Sequence, residues 1–73
     1  MKNNVNNLLK AIGSNIRKIR KEKRVSIKEL AMLANVSTSY LYKIEKCKCI
    51  MSFNTLLNIA CALGTKIKDL LRE

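Results

Sequence analysis

Apolar residues recur at intervals of three and four along most of the chain, and the breaks between runs are marked by Ser, Asn and Gly, with no proline anywhere. Leu9, Ile12, Ile16 and Ile19 fall on one face of a first helix running from about Asn7 to about Lys23. Gly13 lies inside it, where Gly costs roughly 1 kcal/mol relative to Ala, so it marks either a close helix contact or a tolerated residue. Residues 1–6 are polar and are expected to form a frayed, disordered arm. Ser26 and Glu29 make a capping box, with Val25 and Leu30 placed as a hydrophobic staple, so a second helix is predicted over Ile27 to Ala34. Val36, Ser37 and Leu41 repeat the arrangement eleven residues later and predict a third helix from Thr38 to about Lys46. Between them, Asn35 can take the left-handed conformation that ends a helix sharply, and Ala31 sits where the two helices would cross. Ser52 caps a fourth helix with Met51 and Leu56 as its staple, a core face of Phe53, Leu56, Ile59, Ala60 and Leu63, and Gly64 as its stop. Thr65 is positioned to cap a last short helix whose Ile67, Leu70 and Leu71 close the core.

The pattern predicts an all-α fold, a single domain over 1–73 built as a compact five-helix bundle. Its second and third helices, joined by three residues, follow the helix-turn-helix plan, in which the second member can enter the DNA major groove. On a wheel of 100° per residue, Tyr40, Leu41 and Ile44 of that third helix point to the core. Thr38, Ser39, Tyr42, Lys43 and Lys46 gather on the opposite side, a polar, partly aromatic, basic face able to meet base edges and phosphates.

Charge sharpens this. Fifteen Lys and Arg against five acids give +10, which favours a polyanionic partner. Residues 1–24 hold eight of the basic residues and one acid, so much of the field comes from the first helix. At 73 residues the chain has room for one small core and none for a deep catalytic cleft. There is no His, no carboxylate cluster and no phosphate-binding glycine loop, so nothing supports an enzyme. Without a long apolar run or a signal-peptide core, a soluble cytoplasmic protein is expected, with its cysteines reduced. Binding to a membrane surface is disfavoured, because the apolar face of the first helix is already required by the core.

From Ile12 to Leu71 the chain resembles the phage Cro/cI-like repressor domains, the XRE family, with a lambda repressor-like fold. IGSNIRKIR, VSIKELAMLANVSTSYLYKIE, FNTLLNIACALG and the closing Leu70-Leu71 carry the likeness in order and spacing. The resemblance implies that Thr38, Ser39 and Lys43 occupy base-reading positions, with Tyr42 beside them. It also implies a buried structural ion pair between Arg20 and Glu45, which agrees with the place of Glu45 at the edge of the core. Three departures stand out. Ile27 replaces the usual phosphate-holding Gln, a contact that must be lost or supplied elsewhere, for instance by Lys28. Cys47 and Met51 replace the usual Gly and Pro after the third helix, so the connection there is expected to follow an altered path. Asn35 stands for the usual turn Gly.

Cys47, Cys49 and Cys61 could in principle bind zinc or copper(I), or sense oxidants, but the spacing is not that of metal ligands and no His accompanies them. No metal and no cofactor is assigned. The expected function is a sequence-specific transcriptional regulator, a repressor bound to double-stranded DNA as a homodimer on a palindromic operator, with no small-molecule ligand. Arg17, Lys28, Lys46 and Lys48 would hold phosphates. The alternative on the same fold is an antitoxin-like or adaptor module that grips another protein.

Overall fold

The computed structural model describes residues 4–73, which form five helices and no strand. They are α1 (Asn4–Glu22), α2 (Ile27–Leu33), α3 (Thr38–Glu45), α4 (Phe53–Leu63) and α5 (Ile67–Leu70). Of the arm expected over residues 1–6, residues 1–3 lie outside those described, and Asn4, Val5 and Asn6 are helical. Val5, four positions before Leu9, continues the helical spacing of the apolar residues, and no Gly or Pro lies between the two, although Val5 itself is exposed.

The helix starts rest on serine chemistry. Ser26 Oγ accepts the Glu29 N–H at 3.0 Å and the Glu29 carboxylate accepts the Ser26 N–H at 3.5 Å. Ser37 Oγ accepts from Tyr40 N–H, and Ser52 Oγ from Thr55 N–H, each at 3.0 Å. Thr65 does not cap α5. The N-cap is Lys66, with no side-chain cap bond, while the Thr65 hydroxyl donates to Asp69 Oδ2 at 3.2 Å.

The helix ends are more uniform than the sequence suggests. Arg24, Asn35, Cys47 and Gly64 all adopt left-handed backbone, φ 59°, 60°, 61° and 65°. Each closes its helix with paired bonds to the last turn. Arg24 and Val25 N–H groups donate to Lys21 and Arg20 carbonyls, Asn35 and Val36 to Met32 and Ala31, Cys47 and Lys48 to Ile44 and Lys43, Gly64 and Thr65 to Cys61 and Ala60. This is the Schellman arrangement four times over. Cys47 thus supplies the left-handed turn itself, and the altered path expected from the missing Gly is not required.

The core is formed by Ile12 and Ile16 of α1, Leu30, Ala31 and Ala34 around α2, Leu41 and Ile44 of α3, Leu56, Ile59, Ala60 and Leu63 of α4, and Leu70. Ile19, Val25, Val36, Tyr40, Met51 and Ile67 pack against it while half-buried. Two expected core residues are outside it. Phe53 is 65% exposed, because it opens α4 and so sits at the end of the helix, with the right angle but no neighbour to cover it. Leu71 comes after the last turn of α5 and is exposed too, so Leu70, fully buried, closes the core alone at that point.

Gly13 resolves as a contact residue. A Cβ on it would lie 2.6 Å from the Ile44 carbonyl oxygen, 2.9 Å from Cys47 Sγ and 3.0 Å from the Glu45 carbonyl oxygen. The α1 backbone therefore rests directly on the C-terminal end of α3.

Candidate nucleic-acid interface

The face of α3 is set by what lies behind it. Leu41 and Ile44 are completely buried or nearly so, and they hold the helix to the core. Thr38, Ser39, Tyr42, Lys43 and Lys46 are all exposed on the other side. The hydroxyls of Thr38 and Ser39 and the ammonium of Lys43 make no hydrogen bond or ion pair within the described residues, so their donors are available to an outside partner. Lys46 lies over the Tyr42 ring, its Nζ 5.4 Å from the centroid. This i,i+4 cation–π contact holds the ammonium near the ring at little entropic cost.

The second anchor of α3 is an ion pair. Arg20 Nε donates to Glu45 Oε2 at 2.7 Å and a second guanidinium nitrogen donates to Oε1 at 3.0 Å, a two-pronged contact. The remaining nitrogen donates to the Val25 carbonyl at 3.0 Å. One side chain therefore ties α1 to α3 and to the entry of α2. The hydrogen bond to Glu45 raises the Arg20 pKa, opposed by burial and helped by the carboxylate charge, so the guanidinium stays protonated wherever the protein is folded. Every buried polar side-chain atom among the described residues has a partner.

The phosphate candidates are distributed unevenly. Arg17 and Lys46 face each other across an open groove between α1 and α3, of about 590 Å³, together with Ser14, Lys18 and Lys21. Lys28 lines a separate cleft with Thr38, between α2 and the start of α3, of about 450 Å³. Lys48 is exposed on the bend after α3 and lines neither. Lys18 and Lys21 belong to the basic end of the first helix, RKIRKEKR, which the sequence marks as a phosphate-facing flank without naming either residue. Lys21 comes four residues after Arg17, so helical spacing alone puts it on the same stripe.

The cysteines do not converge. Among the described residues no group of three or more His, Cys, Asp or Glu could hold a metal ion. Cys47 Sγ lies against the Lys10 and Glu45 carbonyl oxygens at 3.7 and 3.9 Å, and Cys49 packs on the core. Among the described residues, no helix is long and apolar enough to cross a membrane.

Comparison with known proteins adds independent findings. A family model for the Cro/C1-type HTH DNA-binding domain matches residues 15–72. The immunity repressor protein of Bacillus phage phi105 is 39% identical over 62 residues, which cover 85% of this chain and 43% of that protein. The chain thus spans less than half the length of that relative. Among solved structures, the restriction-modification controller protein C.AhdI from Aeromonas hydrophila superimposes with a TM-score of 0.82 at 29% identity, over 85% of this chain and 94% of that one. The clp gene regulator ClgR from Corynebacterium glutamicum gives 0.85 at 34% identity, over 88% and 68%.

Proposed function

Because the chain belongs to the Cro/C1-type helix-turn-helix DNA-binding domain family, whose members are transcription regulators and not enzymes, we propose that it is a repressor acting in the cytoplasm. In this reading it binds a palindromic operator as a homodimer, one α3 entering the major groove of each half-site. Thr38, Ser39 and Lys43, with Tyr42 beside them, read base edges. Arg17, Lys28, Lys46 and Lys48 hold phosphates.

The observation that carries this reading is the free polar face of α3. The hydroxyls of Thr38 and Ser39 and the ammonium of Lys43 have no partner among the described residues, and the helix beneath them is fixed from behind by Leu41, Ile44 and the Arg20–Glu45 pair. Rigid presentation matters because a base contact discriminates only when its donor cannot swing to the wrong acceptor. The repressor role is further supported by the likeness to the phage immunity repressor.

The test is selection of bound duplexes from a pool of genomic fragments, then titration of two variants. Lys43→Ala should weaken the selected site by about 1–3 kcal/mol and relax base preference at one position. Lys46→Ala should weaken all duplexes alike and reduce the salt slope by about one. Recovery of fragments without a shared sequence would remove the sequence-reading role of α3.

A further inference from the structure

The polar groups that α3 offers to an outside partner are nearly all of one kind. Its sequence, Thr38 to Glu45, holds no Asn, no Gln and a single acid, Glu45. Arg20 donates to both oxygens of that carboxylate and the residue is buried, so α3 has no carboxylate to give to a base. Asn35 lies back in the turn before the Ser37 cap, and the Glu29 carboxylate sits at the start of α2, beside the Ser26 N–H. What faces outward from α3 and its C-cap is the hydroxyls of Thr38, Ser39 and Tyr42 and the ammonium groups of Lys43 and Lys46. A hydroxyl donates or accepts, whereas an ammonium only donates.

The two ammonium groups are not equivalent. Long side chains on a helix lean toward its N-terminus, and Lys46 does so, with its Nζ 5.4 Å from the centroid of the Tyr42 ring. Lys43 stands four residues after Ser39, so the same lean carries its ammonium over Ser39 toward the front of the helix. No acid pairs with it among the described residues. Its root is fixed, because the Lys43 carbonyl accepts the Lys48 N–H at 2.9 Å in the turn that closes α3, and Ile44 beside it is buried. A group that can only donate therefore stands on a rigid base, aimed at the end of α3 where Thr38 and Ser39 lie.

Base edges in the major groove answer such a group differently. Guanine presents O6 and N7, two neighbouring acceptors. Adenine sets an amino donor beside its N7, cytosine presents an amino donor, and thymine offers O4 beside a methyl group. An ammonium can therefore place two protons on guanine, one on thymine, and at adenine or cytosine it meets a competing donor. We propose that Lys43 reads guanine, donating to O6 and N7 of one guanine in the segment that α3 faces. The inference rests on the reading of α3 as the base-reading helix and adds the base that its central lysine requires.

The experiment selects duplexes from a randomised pool with the wild-type chain and with Lys43→Ala, Lys43→Arg and Lys43→Gln. Wild type should fix guanine at one position where Lys43→Ala shows no preference. Lys43→Arg, also a donor to O6 and N7, should keep guanine there. Lys43→Gln, which joins a donor to an acceptor, should change that position to adenine and leave the rest of the selected sequence as it was. A second measurement replaces that guanine with 7-deazaguanine, which keeps its pairing and carries C–H in place of N7. Wild type should then bind about 3- to 10-fold more weakly, half the discrimination of a good two-pronged contact, while Lys43→Ala should bind both duplexes equally. Lys43 is exposed, so an unchanged thermal midpoint verifies that each variant folds.

A base other than guanine at the position that Lys43 controls, or equal wild-type affinity for the guanine and 7-deazaguanine duplexes, would overturn the guanine assignment while leaving α3 as the reader. So would a Lys43→Ala protein that binds every duplex more weakly without relaxing any position, the behaviour of a phosphate contact. Failure of wild type to select any shared sequence would overturn the reading of α3, and the assignment with it.

Discussion

Gly13→Ala is the substitution whose outcome separates packing from propensity most cleanly. In an unconstrained helix it would stabilise by about 1 kcal/mol, because Ala loses less backbone freedom than Gly. Here the added methyl meets the Ile44 carbonyl oxygen at 2.6 Å, Cys47 Sγ at 2.9 Å and the Glu45 carbonyl oxygen at 3.0 Å. Ordinary contact begins near 3.5 Å, so α1 and α3 would have to part by several tenths of an ångström. Two of the three obstacles are backbone. The Ile44 carbonyl is already engaged by the Cys47 N–H at 3.0 Å, so it cannot swing aside without opening the α3 terminus. Overpacking of this kind costs typically 1–3 kcal/mol, and the upper end applies because backbone must move. After the propensity gain, the net loss is about 2 kcal/mol, a fall of roughly 8–16 °C in Tm for a domain of this size. Urea and thermal unfolding monitored by far-ultraviolet circular dichroism measure it directly. Adding Cys47→Ala should restore only part of the loss, since Ile44 O remains the nearest atom. A Gly13→Ala protein as stable as wild type, or more so, would refute the claim that α1 rests on the end of α3.

The remaining predictions concern the ion pair and the helix stops. Arg20→Ala should destabilise by about 3 kcal/mol in chemical denaturation, because it leaves the Glu45 carboxylate buried without its partner. Arg20→Ala/Glu45→Ala should recover much of that loss, and equal losses in both would show that the buried charge is not the cause. Arg24→Gly should stabilise by about 0.5–1 kcal/mol, since the left-handed conformation costs an L side chain roughly 1–2 kcal/mol and Gly returns part of that as unfolded-state entropy. A lower thermal midpoint for Arg24→Gly would mean that the side chain does something at that turn beyond tolerating it.

The starts of α2, α3 and α4 and the stops at Asn35 and Gly64 are legible in the sequence, whereas the stops at Arg24 and Cys47 are not, for a physical reason. An N-cap is a side-chain property: Ser26, Ser37 and Ser52 each need one oxygen at one offset, and sequence displays both. A left-handed stop at Arg24, whose own type does not favour it, is imposed by the neighbour on its C-terminal side. Val25 is the third residue past the end of α1 and also the residue before the cap of α2, and Val36 serves α2 and α3 in the same double way. Burial of these two valines against the core pulls the preceding residue into the turn whatever its type. The wheel likewise gives the buried side of α3 and α4 but not position along the axis, which is why periodicity misplaces Phe53 and Leu71.

Legibility of the site divides along the same line. The outward face of α3 needs only local periodicity, so its residues can be named from sequence. The groove needs the distance between two helices, and that distance comes from a missing side chain at Gly13 and a present one at Arg20, seven residues apart on α1. Gly13 lets the helices approach at the end of α3, and Arg20 clamps them through Glu45 in the same last turn. With both fixed, α3 has little freedom to rock about its buried edge. The angle at which Thr38, Ser39 and Lys43 leave the surface is therefore governed from α1. Changes at Gly13 and Arg20, neither of them on the proposed reading surface, should alter DNA selectivity as well as stability.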